Sequence, residues 1–148
     1  MEPPRKLAFD GRFLRLRLVS SEDARPIVEF DERGHRIPTL PQYLHSLRRM
    51  LLLNCDVAYP GHGGPITNPS ARIRELISHH EQRKEAIHAR LDRRGKTLLQ
   101  LCQELYQGLD ELNLMLALSE VVGHLDLLLE EKRATVARRG RVLVFRGK

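Results

Sequence analysis

The segment Tyr59-Pro60-Gly61-His62-Gly63-Gly64-Pro65 limits what this chain can fold into more than any other stretch. Its proline and glycines forbid a continuing helix or strand, so the chain must turn there. Apolar Leu51–Leu53 and Val57–Tyr59 precede the turn, and the Asn68-Pro69 pair follows it, which reads as an N-cap and first helical residue. Glycine on both sides of His62 permits positive φ and leaves the imidazole unobstructed. A histidine presented in this way can reach a metal or ligand; the plainer alternative is an exposed histidine in a Pro/Gly turn.

Helical spacing is clear on either side of that turn. Thr39 is expected to cap a helix with Pro41 in its first turn, and Tyr43, Leu44, Leu47, Met50 and Leu51 form its apolar face. Asp56–Tyr59 reads as a short strand. A longer helix is expected from Pro69 to about Leu91, with Ile73, Leu76, Ile77, His80, Ile87 and Leu91 along one side. The Asp92–Lys96 segment, charged and containing Gly95, reads as a boundary. Thr97 then caps a helix over 98–106, and a second helix ends near Lys132 with Leu114, Leu118, Val121, Val122, Leu125, Leu128 and Leu129 inward. Strands 134–136 and 141–145 close a hairpin around Arg138-Arg139-Gly140. Before Thr39 the pattern is weaker. Residues 13–19 alternate apolar with basic as a half-buried strand does, Pro26–Phe30 is a short extended segment, and Asp31–Gly34 is a polar turn. Met1–Lys6 is expected to lack structure.

The order and spacing of Tyr43-Leu44-His45-Ser46-Leu47, Asp56-Val57-Ala58-Tyr59-Pro60-Gly61-His62-Gly63, Arg72-Ile73 and His79-His80-Glu81-Gln82-Arg83 resemble the C-terminal part of metallo-β-lactamase-fold hydrolases. More narrowly, they are similar to the bacterial subfamily with an appended winged helix. The resemblance runs from about Pro26 onward. It implies an α+β chain: an incomplete C-terminal part of an αββα sandwich over residues 1–94, then a small winged-helix domain over 95–148. It also implies that His62 is a ligand of the second of two zinc ions, and that the parent enzymes attack an ester, thioester, lactam or phosphodiester with zinc-bound water.

The rest of that family's metal site has no counterpart here. The histidines are His35, His45, His62, His79, His80, His88 and His124, and none belongs to a His-x-His-x-Asp-His loop. Where a bridging aspartate would follow a glycine, Gly11 is followed by Arg12, with Asp10 one place early. Zinc requires three or four converging N, S or O donors. The chain alone is therefore expected to be inactive and not to retain the zinc pair. Two functional classes follow: part of an enzyme, or a non-catalytic remnant acting through its winged helix.

The formal net charge of +6 is not spread as a nucleic-acid binder's would be. Residues 38–94 carry 9 basic and 5 acidic side chains, whereas 1–37 and 95–148 each carry 8 and 7. The supposed recognition helix offers Ser119, Glu120, His124, Asp126, Glu130 and Glu131, which would repel phosphate, so only Arg138, Arg139 and Arg141 suit it. Protein contact is the expected use, with self-association or a missing N-terminal half as partner, since apolar faces at Leu44–Met50 and Val57–Tyr59 would lack full cover. No apolar run approaches membrane-spanning length, and no signal-peptide core is present. Cys55 and Cys102 read as buried thiols in a reducing cytoplasm.

Overall fold

The computed structural model describes residues 28–59, 64–108 and 110–148, together with the backbone of residues 6–7, and gives Leu112 by backbone alone. The expected strand at 13–19 and the Arg12 position lie outside them. Eleven elements follow in order: β1 (Lys6–Leu7), β2 (Glu29–Phe30), β3 (Arg36–Ile37), α1 (Thr39–Leu51), β4 (Val57–Ala58), α2 (Pro69–His88), β5 (Lys96–Thr97), α3 (Leu98–Leu105), α4 (Glu111–Glu130), β6 (Ala134–Arg139) and β7 (Val142–Gly147). They divide into two compact units. One contains residues 1–24 and 43–78, the other 25–42 and 79–148. The boundary expected at 94/95 falls inside the second unit.

In the first unit β1 runs parallel to β4, pairing Lys6 with Val57 and Leu7 with Ala58. β1 begins at Lys6, and residues 1–5, within the segment expected to lack structure, lie outside the described residues. Asn68 caps α2 as expected: its side-chain oxygen accepts the Ala71 N–H at 3.0 Å, and Pro69 stands first in the helix, where no N–H is needed. Leu44 and Leu47 on α1 are fully buried, as are Ala58, Ile73 and Leu76 nearly so. The apolar stripe of α1 is therefore covered, contrary to expectation, while Leu52, Leu53 and Tyr59 remain exposed. Cys55 is half-buried, not enclosed.

The second unit opens with the β2–β3 hairpin, whose turn is built by Asp31. The Asp31 carboxylate accepts the N–H groups of Arg33 and His35 at 2.9 and 2.8 Å, and Gly34 supplies the left-handed φ of 76°. Thr97 and Gln100 form a reciprocal capping box at the start of α3, and the Asp110 side chain caps α4. β5, β7 and β6 make a three-stranded antiparallel sheet in that order. The sequence spacing indicated the hairpin but not β5, and it placed Arg138 and Arg139 in the turn. Both are strand residues, and Gly140-Arg141 makes the turn, with Gly140 at φ 63°. The core joins Ile87, Leu101, Cys102, Ala117, Val121, Leu125, Leu128, Ala134 and Phe145.

α4 is the centre of this unit. Every residue from Glu120 to Leu128 is buried, so the helix has no solvent face along that stretch. Gly95 shows how closely the sheet is covered. It sits at φ 89°, and a Cβ there would come within 2.5 Å of Val144 Cγ1 and 2.9 Å of Arg146 Cγ. Gly95→Ala is expected to cost about 2 kcal/mol through strain and overlap. Denaturant titration checks this, and an unchanged midpoint would contradict the close fit.

Candidate functional site

His62 lies outside the described residues, but its flanks do not. Ala58 and Ile66 form an antiparallel bridge, with Ala58 N–H donating to the Ile66 carbonyl at 3.0 Å and Ile66 N–H to the Ala58 carbonyl at 2.8 Å. The two ends of the Pro/Gly segment are thus brought together, as a turn between strand and helix requires. Of the other sequence histidines, His35 is an exposed partner of Asp31, and His45 and His79 are exposed. Among the described residues no group of three or more histidine, cysteine or acidic side chains could hold a metal ion.

The structure instead gathers chemistry between α2 and α4 in the second unit. His80 and His124 are buried and face each other, Nδ1 to Nε2, at 3.2 Å. His124 Nδ1 is 2.7 Å from the Glu120 carbonyl four residues back, so that nitrogen must carry the proton. The His124 Nε2 lone pair then accepts the proton on His80 Nδ1. Both rings are neutral in this arrangement. Burial pushes each down to about 4; for His80 the neighbouring His124 and His79 add to it, while for His124 the Glu120 carbonyl opposes it.

Charged residues surround the pair. Arg83 Nε lies 2.8 Å from Glu120 Oε1, and the Arg83 guanidinium stands 5.7 Å from the centre of the Tyr106 ring. Burial, helped by Glu120, raises the Tyr106 hydroxyl to about 12 and the Cys102 thiol to about 11. Burial opposes the charge on Lys84, but the hydrogen bonds it donates to Glu131 and Glu81 outweigh it and leave Lys84 above its ordinary range. Arg36 of β3 grips Asp126 of α4 through both terminal guanidinium nitrogens. Arg133 does the same for Glu85 and holds its carboxyl at about 2.

This arrangement joins helices; it does not activate a reactant. A thiol near 11 stays protonated at neutral pH, and both ring nitrogens of His124 are engaged, one by the Glu120 carbonyl and one by His80. The set also does not fit zinc, whose ligands must converge on one point with free lone pairs. Sequence reasoning placed Glu120, His124 and Asp126 on an exposed face, and that is corrected: all three are buried. The available signal was the run of apolar neighbours Val121, Val122, Leu125, Leu127 and Leu128, which leaves no polar side on the helix.

No family model matches the chain. Its relatives and structural neighbours nevertheless support placing it in the metallo-β-lactamase fold family, as a metallo-hydrolase-like or lactamase-like member with a mixed α/β fold. The probable metallo-hydrolase YqjP of Bacillus subtilis is 35% identical over 130 residues, 87% of this chain and 41% of that protein. The crystal structure of the metallo-β-lactamase family protein TTHA1429 from Thermus thermophilus superposes with a TM-score of 0.59 at 35% identity, over 78% of this chain and 35% of that one. A β-lactamase domain protein from Burkholderia ambifaria gives a TM-score of 0.65 at 24% identity over 76% and 34%, a likeness of fold alone. The chain thus spans well under half the length of these proteins. No helix among the described residues is long and apolar enough to cross a membrane.

Proposed function

We propose that the chain is the C-terminal portion of a zinc-dependent metallo-β-lactamase-fold hydrolase, residues 1–94 belonging to the catalytic fold and 95–148 to a winged helix, and that it is not a hydrolase by itself. The observation that carries this reading is the mismatch of coverage: similarity to YqjP extends over 87% of this chain but 41% of that protein, and the chain has no His-x-His-x-Asp-His loop. His62 is then the one family zinc ligand present, and a single imidazole does not hold a catalytic ion. The succession α2, β5, α3, α4, β6, β7, with β7 between β5 and β6, supports the winged-helix reading.

Zinc analysis after dialysis and hydrolysis assays on ester, thioester and phosphodiester substrates test the proposal. The expected result is zinc far below one equivalent and no turnover. Near-stoichiometric zinc, with hydrolysis abolished in His62→Ala, overturns it. The alternative, a non-catalytic interaction module, is favoured by one specific observation. Buried from Glu120 to Leu128, α4 has no face to lay in a major groove, which supports protein contact over base reading. Genomic sequence upstream of Met1 separates the two, since an in-frame His-x-His-x-Asp-His would mark the enzyme.

A further inference from the structure

The outer half of the β6–β7 hairpin displays more apolar surface than a cover for its own core needs. Val144 and Phe145 are buried, but Val136, Val142 and Leu143 are exposed to 43%, 49% and 52%. The register sets Arg138 opposite Leu143 and Arg139 opposite Val142, so both faces of the hairpin carry an aliphatic side chain beside a guanidinium. Arg141 adds a third charge in the turn. Arg138 donates back to the Gly140 carbonyl, whereas Arg139 and Arg141 join no ion pair among the described residues.

The same unit contains a complementary surface. Between α3 and the first turns of α4 is a groove of about 360 Å³ whose lining mixes Leu99, Tyr106 and Leu114 with Gln103 and Gln107. Met115, one residue after Leu114, is 68% exposed. Glu111 lies three and four residues before Leu114 and Met115 and so shares their helix face, and Asp110 caps the same end. One surface is an apolar ridge with a cationic tip; the other is a slot of mixed leucine, tyrosine and glutamine lining with an anionic end.

We propose that the chain recognises a second copy of itself by these two surfaces, the hairpin of each molecule lying in the α3–α4 groove of the other with Arg139 and Arg141 against Asp110 and Glu111. A net charge of +6 opposes indiscriminate self-association and favours the one contact that sets arginines against local acids. A lone hairpin in a groove buries less than the roughly 1,200 Å² of a stable interface. Two such contacts around a two-fold axis double the area and close the assembly. This inference is independent of the zinc reading.

Sedimentation equilibrium of the full chain tests it, with circular dichroism confirming that each variant folds. The wild type is expected to form dimers that weaken with salt. Leu143→Glu, Arg141→Glu and Glu111→Arg should each raise the dimer dissociation constant by about tenfold or more. Combining Arg141→Glu with Glu111→Arg should restore association. A monomeric wild type, a dimer insensitive to the single changes, or a charge swap without recovery overturns the proposal. So does duplex DNA that binds through the same arginines and leaves the protein monomeric.

Discussion

As pH falls from 6.5 to about 4, the chain is expected to lose about 3 kcal/mol of stability for each of His80 and His124. In the unfolded chain both imidazoles take up protons near 6.5, whereas in the fold they do so only near 4. Between those values the unfolded state binds more protons, so stability is present in full above 6.5 and is lost across that window. Burial is the main cause. His79, Arg83 and Lys84 on α2 also oppose charge on the pair, while Glu120 on α4 favours it only for His80 by its carboxylate and for His124 by its carbonyl. One added proton repels a second 3.2 Å away, which lowers the fold's second uptake further while the unfolded chain still takes up both, so the two losses add. The Glu85–Arg133 pair acts lower, from 4.5 down to about 2, and is separable. Urea unfolding at neutral pH and at about pH 5 measures the effect. The double change His80→Leu, His124→Leu should flatten the upper window; an undiminished slope there would refute the assignment. Should that variant fail to fold, imidazole titration in the wild type serves equally, and ordinary values near 6.5 would refute it.

The second large effect concerns Arg36 and Asp126. The Asp126 side chain is 8% exposed, while that of Arg36 is 35% exposed. Arg36→Met strands a carboxylate inside the unit and is expected to cost about 3 kcal/mol. Asp126→Asn leaves a guanidinium that still reaches water and should cost about 1 kcal/mol. Arg36→Met with Asp126→Leu should recover most of the loss, because neither charge remains to be desolvated. Equal costs for the two single changes in denaturant titrations would show that burial of Asp126 does not govern the pair.

Local chemistry was legible where a side chain acts on its own neighbours in sequence. Asn68-Pro69, Thr97 with Gln100, the Asp31–Gly34 turn and the leucine spacing of α3 and α4 announce elements within a few residues. Features requiring a distant partner were not legible. β5 is two residues within a charged loop and is a strand only because β7 pairs with it. His80 and His124 are 44 residues apart, and Arg36 and Asp126 are 90 apart. The polar letters of α4 suggested a solvent face, but burial on every side converted them into partners for α2 and β3. His62 was legible in the sequence only as a histidine between glycines, and the Ala58–Ile66 bridge joins the residues on either side of that segment.

The middle position of β7 has a consequence for synthesis. Both of its neighbours, β5 and β6, leave the ribosome before it does, and they do not pair with each other. Until β7 is made, β5 is an unpaired dipeptide, β6 an open edge, and the place filled by Phe145 in the core is vacant. The sheet of the second unit is therefore completed by the last strand to arrive, and the nascent chain exposes its leucine-rich helices until then.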